Sequence, residues 1–147
     1  MRADYWITVL VTAAAVIACV VLHYEFLRLI SKSLPLPTTQ HRSRIVVLIL
    51  SLLSLHIMEI WIFGAGYYFL LSFGDNGALT GIGAMSLLDC VYYSATVFTT
   101  LGFGDIVPSG AIRFMTGTEA IAGLTFITWS SSYTFLVMLK SWHFPRD

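Results

Sequence analysis

Three long apolar runs alternate with short polar stretches along the chain. The first extends from Tyr5 to about Leu22, then toward Ile30 as an expected interfacial turn carrying His23, Glu25 and Arg28. The second covers Ile45 to Phe73, with His56 and Glu59 as its ionisable interruptions. The third covers Ile112 to Leu139, with Arg113 at its start and Glu119 inside. Crossing a bilayer takes about 20 residues at a rise of about 1.5 Å each. Runs this long exceed any ordinary strand, and a segment in lipid must satisfy its own backbone groups, so each is predicted to be a helix. The first run continues past every candidate cleavage site into Val20-Val21-Leu22, which predicts a retained membrane helix rather than a signal peptide.

A fourth segment breaks this pattern. Gly74 to Gly83 is glycine-rich and polar enough for an outer loop. Leu87 to Thr99 is apolar and aromatic, but as a helix it is only about 20 Å long, too short for a hydrocarbon core of about 30 Å. Ser86-Leu87-Leu88-Asp89 has the Ser-x-x-acid form of a capping box and marks the helix start. Thr99-Thr100-Leu101-Gly102-Phe103-Gly104-Asp105 then leads to Pro108 and the third long helix. The geometry implied is a short helix dipping into the membrane and a non-helical return. Such backbone is tolerated at membrane depth only where protein buries it or where it lines a water-filled path. The expected fold is an all-α membrane protein. It comprises an N-terminal transmembrane helix over 1–30, a basic loop over 31–44, an outer helix over 45–73, a re-entrant helix over 87–99, a return over 100–105 and an inner helix over 112–140.

Composition supports lipid as the main solvent. Of 147 residues 57% are hydrophobic and only 11% charged, against about a quarter charged in soluble domains. Eight basic and eight acidic residues cancel, which excludes a nucleic-acid binder built on a basic footprint. Cys19 and Cys90 offer neither a metal spacing nor a disulfide framework. Charge placement predicts orientation: Arg28, Lys32, Arg42 and Arg44 flank the first connection, opposed by Glu25 alone. The positive-inside rule puts that connection in the cytoplasm, the N-terminus outside, and the tail bearing Lys140, His143 and Arg146 inside.

The return carries the chemistry. Two glycines separated by one residue open backbone angles closed to other residues, so that successive carbonyls can point the same way. Carbonyls so arranged can replace the water around a dehydrated cation, and Thr100 can add a hydroxyl at the inner end. The short helix ends with its negative dipole pole near the membrane centre, where a cation is stabilised. No nucleophile, general base or cofactor cage accompanies these residues, so an enzyme is not expected.

Thr99 to Asp105 resembles the potassium-channel signature Thr-Thr-Val-Gly-Tyr-Gly-Asp, and the likeness extends from Tyr92-Tyr93-Ser94 to Gly123, covering roughly Ile45 to Lys140. The resemblance implies a homotetrameric pore domain in which Thr100, Leu101, Gly102, Phe103 and Gly104 form a selectivity filter. Potassium ions would be held at Thr100, Leu101, Gly102 and Phe103. It implies filter support from Asp105, Thr96, Tyr93 and Glu119, no cofactor beyond permeant potassium, and lipid and monovalent cations as partners. The extra first helix is similar to that of small bacterial three-helix members, which implies a bacterial plasma membrane. Leu101 and Phe103 depart from the usual valine and tyrosine, and Thr96 stands where several members carry glutamate.

Ionisable residues at membrane depth are costly and point to function. Glu119 lies about two turns into the third helix, where it is expected behind the filter, bonded to hydroxyls such as Thr96, or else tying two helices together. His56 and Glu59, three apart, share one helical face. Gly123 permits a bend, and Thr128, Ser131 and Ser132 are candidates to line a cavity or gate. The function expected is a potassium-selective channel. Alternatives are a weakly selective cation channel of the same architecture and a non-conducting accessory membrane subunit.

Overall fold

The computed structural model describes residues 3–33, 42–73, 76–81 and 86–141. The elements in chain order are α1 (Ala3–Ser33), α2 (Arg42–Ser72), β1 (Ala78–Thr80), α3 (Leu87–Phe98), β2 (Val107–Ser109) and α4 (Ile112–Ser141). Tyr5–Ser33, Ser43–Ser72 and Ile112–Lys140 are each long and apolar enough to cross a membrane, and α3 is the one short apolar helix among the described residues. The all-α membrane architecture expected from the apolar pattern is therefore present. The connection with Pro35 and Pro37, and the tail with His143 and Arg146, lie outside the described residues.

Two expectations are corrected. The first helix does not give way to an interfacial turn near His23: α1 is continuous to Ser33, and His23 is fully buried while Glu25 and Arg28 pair on its exposed face. The outer segment is also not loop alone. β1 and β2 pair antiparallel in the register Ala78 with Ser109, Leu79 with Pro108 and Thr80 with Val107. A two-stranded ribbon has only edges, which is where a proline can sit in a strand. Asn76 secures the ribbon: its side-chain amide donates to the carbonyls of Leu70 (2.8 Å) and Phe73 (2.6 Å), and its backbone carbonyl accepts from Ile112 N at 3.0 Å. It thereby occupies carbonyls left open at the end of α2 and ties that end to the start of α4.

Burial divides into two clusters. One joins Ala15 and Cys19 of α1, Phe63, Tyr67 and Leu70 of α2, Tyr93, Val97 and Phe98 of α3, and Ile112, Met115 and Phe126 of α4. The other joins Leu27 and Ile30 to Leu48, Leu52 and Leu55, with Tyr133 and Val137 packed against them. The end of α1 thus meets the start of α2 and the end of α4, so α2 runs antiparallel to both α1 and α4. The outward faces carry Leu10, Ile17, Val21, Leu50, Leu53, Ile121 and Leu124, as a lipid environment demands.

The first cluster contains α3, which is held by close approach on two sides. A Cβ at Gly64 of α2 would lie 2.7 Å from Val91 Cγ2 and 2.8 Å from Val91 Cα. A Cβ at Gly123 of α4 would run into the carbonyl oxygen of Phe98. Both obstacles include backbone, which cannot rotate away. Gly123→Ala is expected to destabilise the protein by about 1–3 kcal/mol, the usual cost of overpacking, seen as a lowered Tm in detergent. Gly117→Ala, whose added Cβ meets open space, is the control and should not lower Tm, since alanine is the better helix former.

Candidate functional site

The site begins with the entry of α3. Ser86 Oγ accepts from Asp89 N at 3.1 Å and the Asp89 carboxylate accepts from Ser86 N at 3.1 Å, the capping box expected from the sequence. This satisfies two otherwise open N–H groups and fixes where the helix starts. The helix closes at Thr99, whose hydroxyl donates to Ala95 O at 2.7 Å.

Beyond Thr99 the backbone alternates. Thr100, Gly102 and Gly104 have φ of 58°, 51° and 80°, while Leu101 and Phe103 remain at negative φ. Alternation of this kind turns every second peptide plane over, so that carbonyls share one direction instead of zigzagging as in a strand. At Gly102 and Gly104 an added Cβ would meet nothing, so glycine is required there by φ and not by space. Thr100 holds the left-handed region without that freedom, a strain of about 1–3 kcal/mol.

The N–H groups at the start of this stretch face inward. Thr100 N donates to Val97 O at 2.9 Å, and Leu101 N and Gly102 N both donate to Thr96 O, at 2.9 and 3.1 Å. No carbonyl from Thr100 to Gly104 accepts a hydrogen bond among the described residues. Thr100 to Asp105 are all exposed in the single chain, Leu101 by 58% and Phe103 by 66%. The result is a line of uncommitted oxygen acceptors at the negative end of α3. Such a line has the chemistry to coordinate a cation stripped of water.

The expected supports are distributed differently from one another. Asp105 accepts from Tyr92 OH at 2.8 Å; that hydrogen bond, ahead of desolvation and charge, pushes the Tyr92 phenol above its usual pKa and keeps it a donor. Tyr93 bonds Thr116 of α4 through its hydroxyl at 3.0 Å and meets Tyr67 edge-on at 5.1 Å. Thr96 corrects an expectation: its hydroxyl donates to Tyr93 O at 2.8 Å and does not reach Glu119. Its service to the loop is through its backbone carbonyl.

Glu119 is fully buried behind the loop. Its Oε2 accepts from Tyr67 OH at 2.6 Å, and its Oε1 lies 2.5 Å from Ser94 Oγ. Ser94 Oγ also lies 2.9 Å from Ile60 O. A hydroxyl has one proton, so Ser94 donates to only one of these oxygens. Sequence reasoning did not pick out Tyr67 and Ser94 as partners. The available signal was a hydroxyl on α3 facing away from the loop.

Of the cavity candidates, Gly123 is buried beneath Phe98. Thr128, Ser131 and Ser132 are exposed toward the far end of α4. Thr128 and Ser132 donate to Leu124 O at 2.7 Å and Thr128 O at 2.9 Å, bonds along their own helix. A second polar node lies at mid-helix. Glu59, fully buried, bonds His56 at 2.9 Å, as their spacing suggested, and also His23 of α1 at 2.8 Å.

A family model described as an ion channel matches residues 44–140, from the start of α2 to the end of α4. Comparisons with curated proteins and with solved structures return no match. The matched stretch is most of the chain and includes α3, the alternating loop and both flanking helices. On that match and this geometry, the chain belongs to the ion channel family.

Proposed function

We propose that the protein is a homotetrameric potassium-selective channel whose filter is Thr100, Leu101, Gly102, Phe103 and Gly104. The observation that carries this reading is the alternation of φ at Thr100, Gly102 and Gly104, with carbonyls left free of hydrogen bonds. One chain can offer such oxygens from one side only. Four copies around an axis would close them into rings that replace the hydration shell of a potassium ion, with the Thr100 hydroxyl adding a ring at the inner end. The exposure of these residues in the single chain is the exposure an axis-facing surface has before its neighbours are added. Thr128, Ser131 and Ser132, on the open surface of α4, would line the water-filled path below. A filter of this kind needs no cofactor and no catalytic group.

Weak selectivity is the second reading. It is favoured by Phe103, which lacks a hydroxyl to fasten the loop and is 66% exposed. Reconstitution in liposomes with potassium on one side and sodium on the other separates the two readings through the reversal potential. Absence of any flux would favour the accessory-subunit alternative.

Orientation follows from charge. Arg28 and Lys32 near the end of α1, Arg42 and Arg44 at the start of α2, and Lys140 at the end of α4 fall at one end of the antiparallel helices. The proposal puts that end in the cytoplasm, the ribbon outside, and the chain in a bacterial plasma membrane. Cys19 and Cys90 are buried and need no replacement in a labelling test. An impermeant thiol reagent added outside should label Thr80→Cys and spare Ser33→Cys; the opposite pattern would reverse the topology.

Gly104→Ala should abolish potassium flux in liposomes while a tetramer persists on native gels. An alanine held at φ near 80° costs about 1–2 kcal/mol in each subunit, enough to displace the loop but not to unfold the helices. Retained flux would defeat the filter assignment.

Glu119→Gln should leave single-channel open probability near that of the parent. The amide oxygen can accept from Tyr67, and the amide N–H can donate to Ser94, freeing the serine proton for Ile60 O. Glu119→Ala leaves the Tyr67 and Ser94 hydroxyls without the carboxyl, at about 1–3 kcal/mol for each buried polar group left unmet. Open probability should fall severalfold in that variant, and equal behaviour of the two would remove Glu119 from filter support.

A further inference from the structure

The geometry points to a divalent transition-metal site of the zinc class at His23, His56 and Glu59, built between α1 and α2. The ligand atoms of these three residues all lie within 4.8 Å of one another. His56 and Glu59 sit at positions i and i+3 of one helix and His23 faces them from the next, an arrangement by which helical bundles build metal sites. The set is two imidazole nitrogens and one carboxylate, which suits zinc-like ions, whereas magnesium and calcium prefer all-oxygen shells.

Charge and surroundings favour a bound cation. Glu59 is fully buried near the middle of a membrane-spanning helix, and its ionisable partners are the two imidazoles. A carboxylate at that depth calls for a compensating positive charge. The other elements packed there supply none: Cys19 of α1 directs its thiol at the Glu59 carbonyl at 4.0 Å, Phe98 of α3 lies against His56, and Phe126 and Trp129 of α4 flank His23. Ligation through Nδ1 puts the proton of each neutral imidazole on Nε2. For His23 that nitrogen faces Ser130 Oγ at 3.4 Å, an outer partner of the sort that orients metal-binding histidines. His56 is the open side. It borders a groove of about 390 Å³ between α2 and α4 that also carries the hydroxyls of Ser130, Ser131 and Thr134, with room for a water as a further ligand.

The test reads binding and so is independent of conduction. The full chain in detergent is titrated with Co²⁺, then with Zn²⁺. Expected are a saturable visible absorption at one Co²⁺ per chain, its displacement by Zn²⁺, and a Tm raised by Zn²⁺. Glu59→Gln and His56→Gln should each lose the absorption and bind at least ten times more weakly, while Ser54→Ala, on the exposed face of α2, keeps both. Glu59→Gln retains an acceptor and a donor for the two imidazoles; circular dichroism without metal establishes that each variant is folded. Absence of saturable Co²⁺ binding in the folded parent chain overturns the proposal, whatever the variants do. So does absorption that survives in both variants, and the three side chains are then a hydrogen-bonded clasp alone.

Discussion

The carbonyl oxygen of Thr96 takes two N–H groups, those of Leu101 and Gly102, and the conformation of the loop depends on it. At membrane depth an unpaired backbone group costs several kcal/mol. A non-helical stretch there must therefore send its donors to protein, and for Thr100, Leu101 and Gly102 the end of α3 is where they go. With the donors drawn inward, the oxygens are left facing outward, and the left-handed residues at every second position keep them aligned. The placement of Thr96 is inherited in turn. The capping box fixes where α3 begins, Gly64 and Gly123 let α2 and α4 close on it, and the Asn76 ribbon joins the end of α2 to the start of α4.

Glu119 fastens the same assembly from behind. Tyr67, Ser94, Thr116 and Tyr93 link α2, α3 and α4 through hydroxyls that meet at or beside its carboxyl. Satisfied networks of this kind make a buried arrangement unique, because any shift of one member leaves another unpaired. For the proposed filter this matters more than strength. Carbonyls that replace hydration water must stay in place when no ion is between them, and repulsion among them pushes outward against α3. A hydroxyl network behind the helix resists that push, where an apolar contact would slide.

The sequence made the long helices, the start of α3 and the glycine pair of the loop legible because each is a local pattern. Helix length, capping spacing and left-handed backbone are set by neighbours in the chain. Partners across helices were less accessible. Thr96 was expected to meet Glu119 and Ser94 does, because residues two apart on a helix point in nearly opposite directions and the sequence does not reveal which side faces α4. His23 looked interfacial beside Glu25 and Arg28, yet it alone of the three turns inward, toward a glutamate on another helix. The ribbon escaped notice because three-residue strands around a proline leave no alternation to detect.

The family match begins at residue 44, and so leaves all of α1 outside the stretch it shares with other channels. The hydrogen bond from His23 to Glu59 crosses that border. Glu59 belongs to the shared part, but one of its two side-chain bonds comes from the part that is not shared. The border therefore marks a unit of likeness rather than of independence: a chain shortened to the matched stretch would present a half-bonded carboxylate to lipid. Anyone transplanting this pore into another protein, or grafting α1 onto a related one, would have to move residues 23, 56 and 59 together.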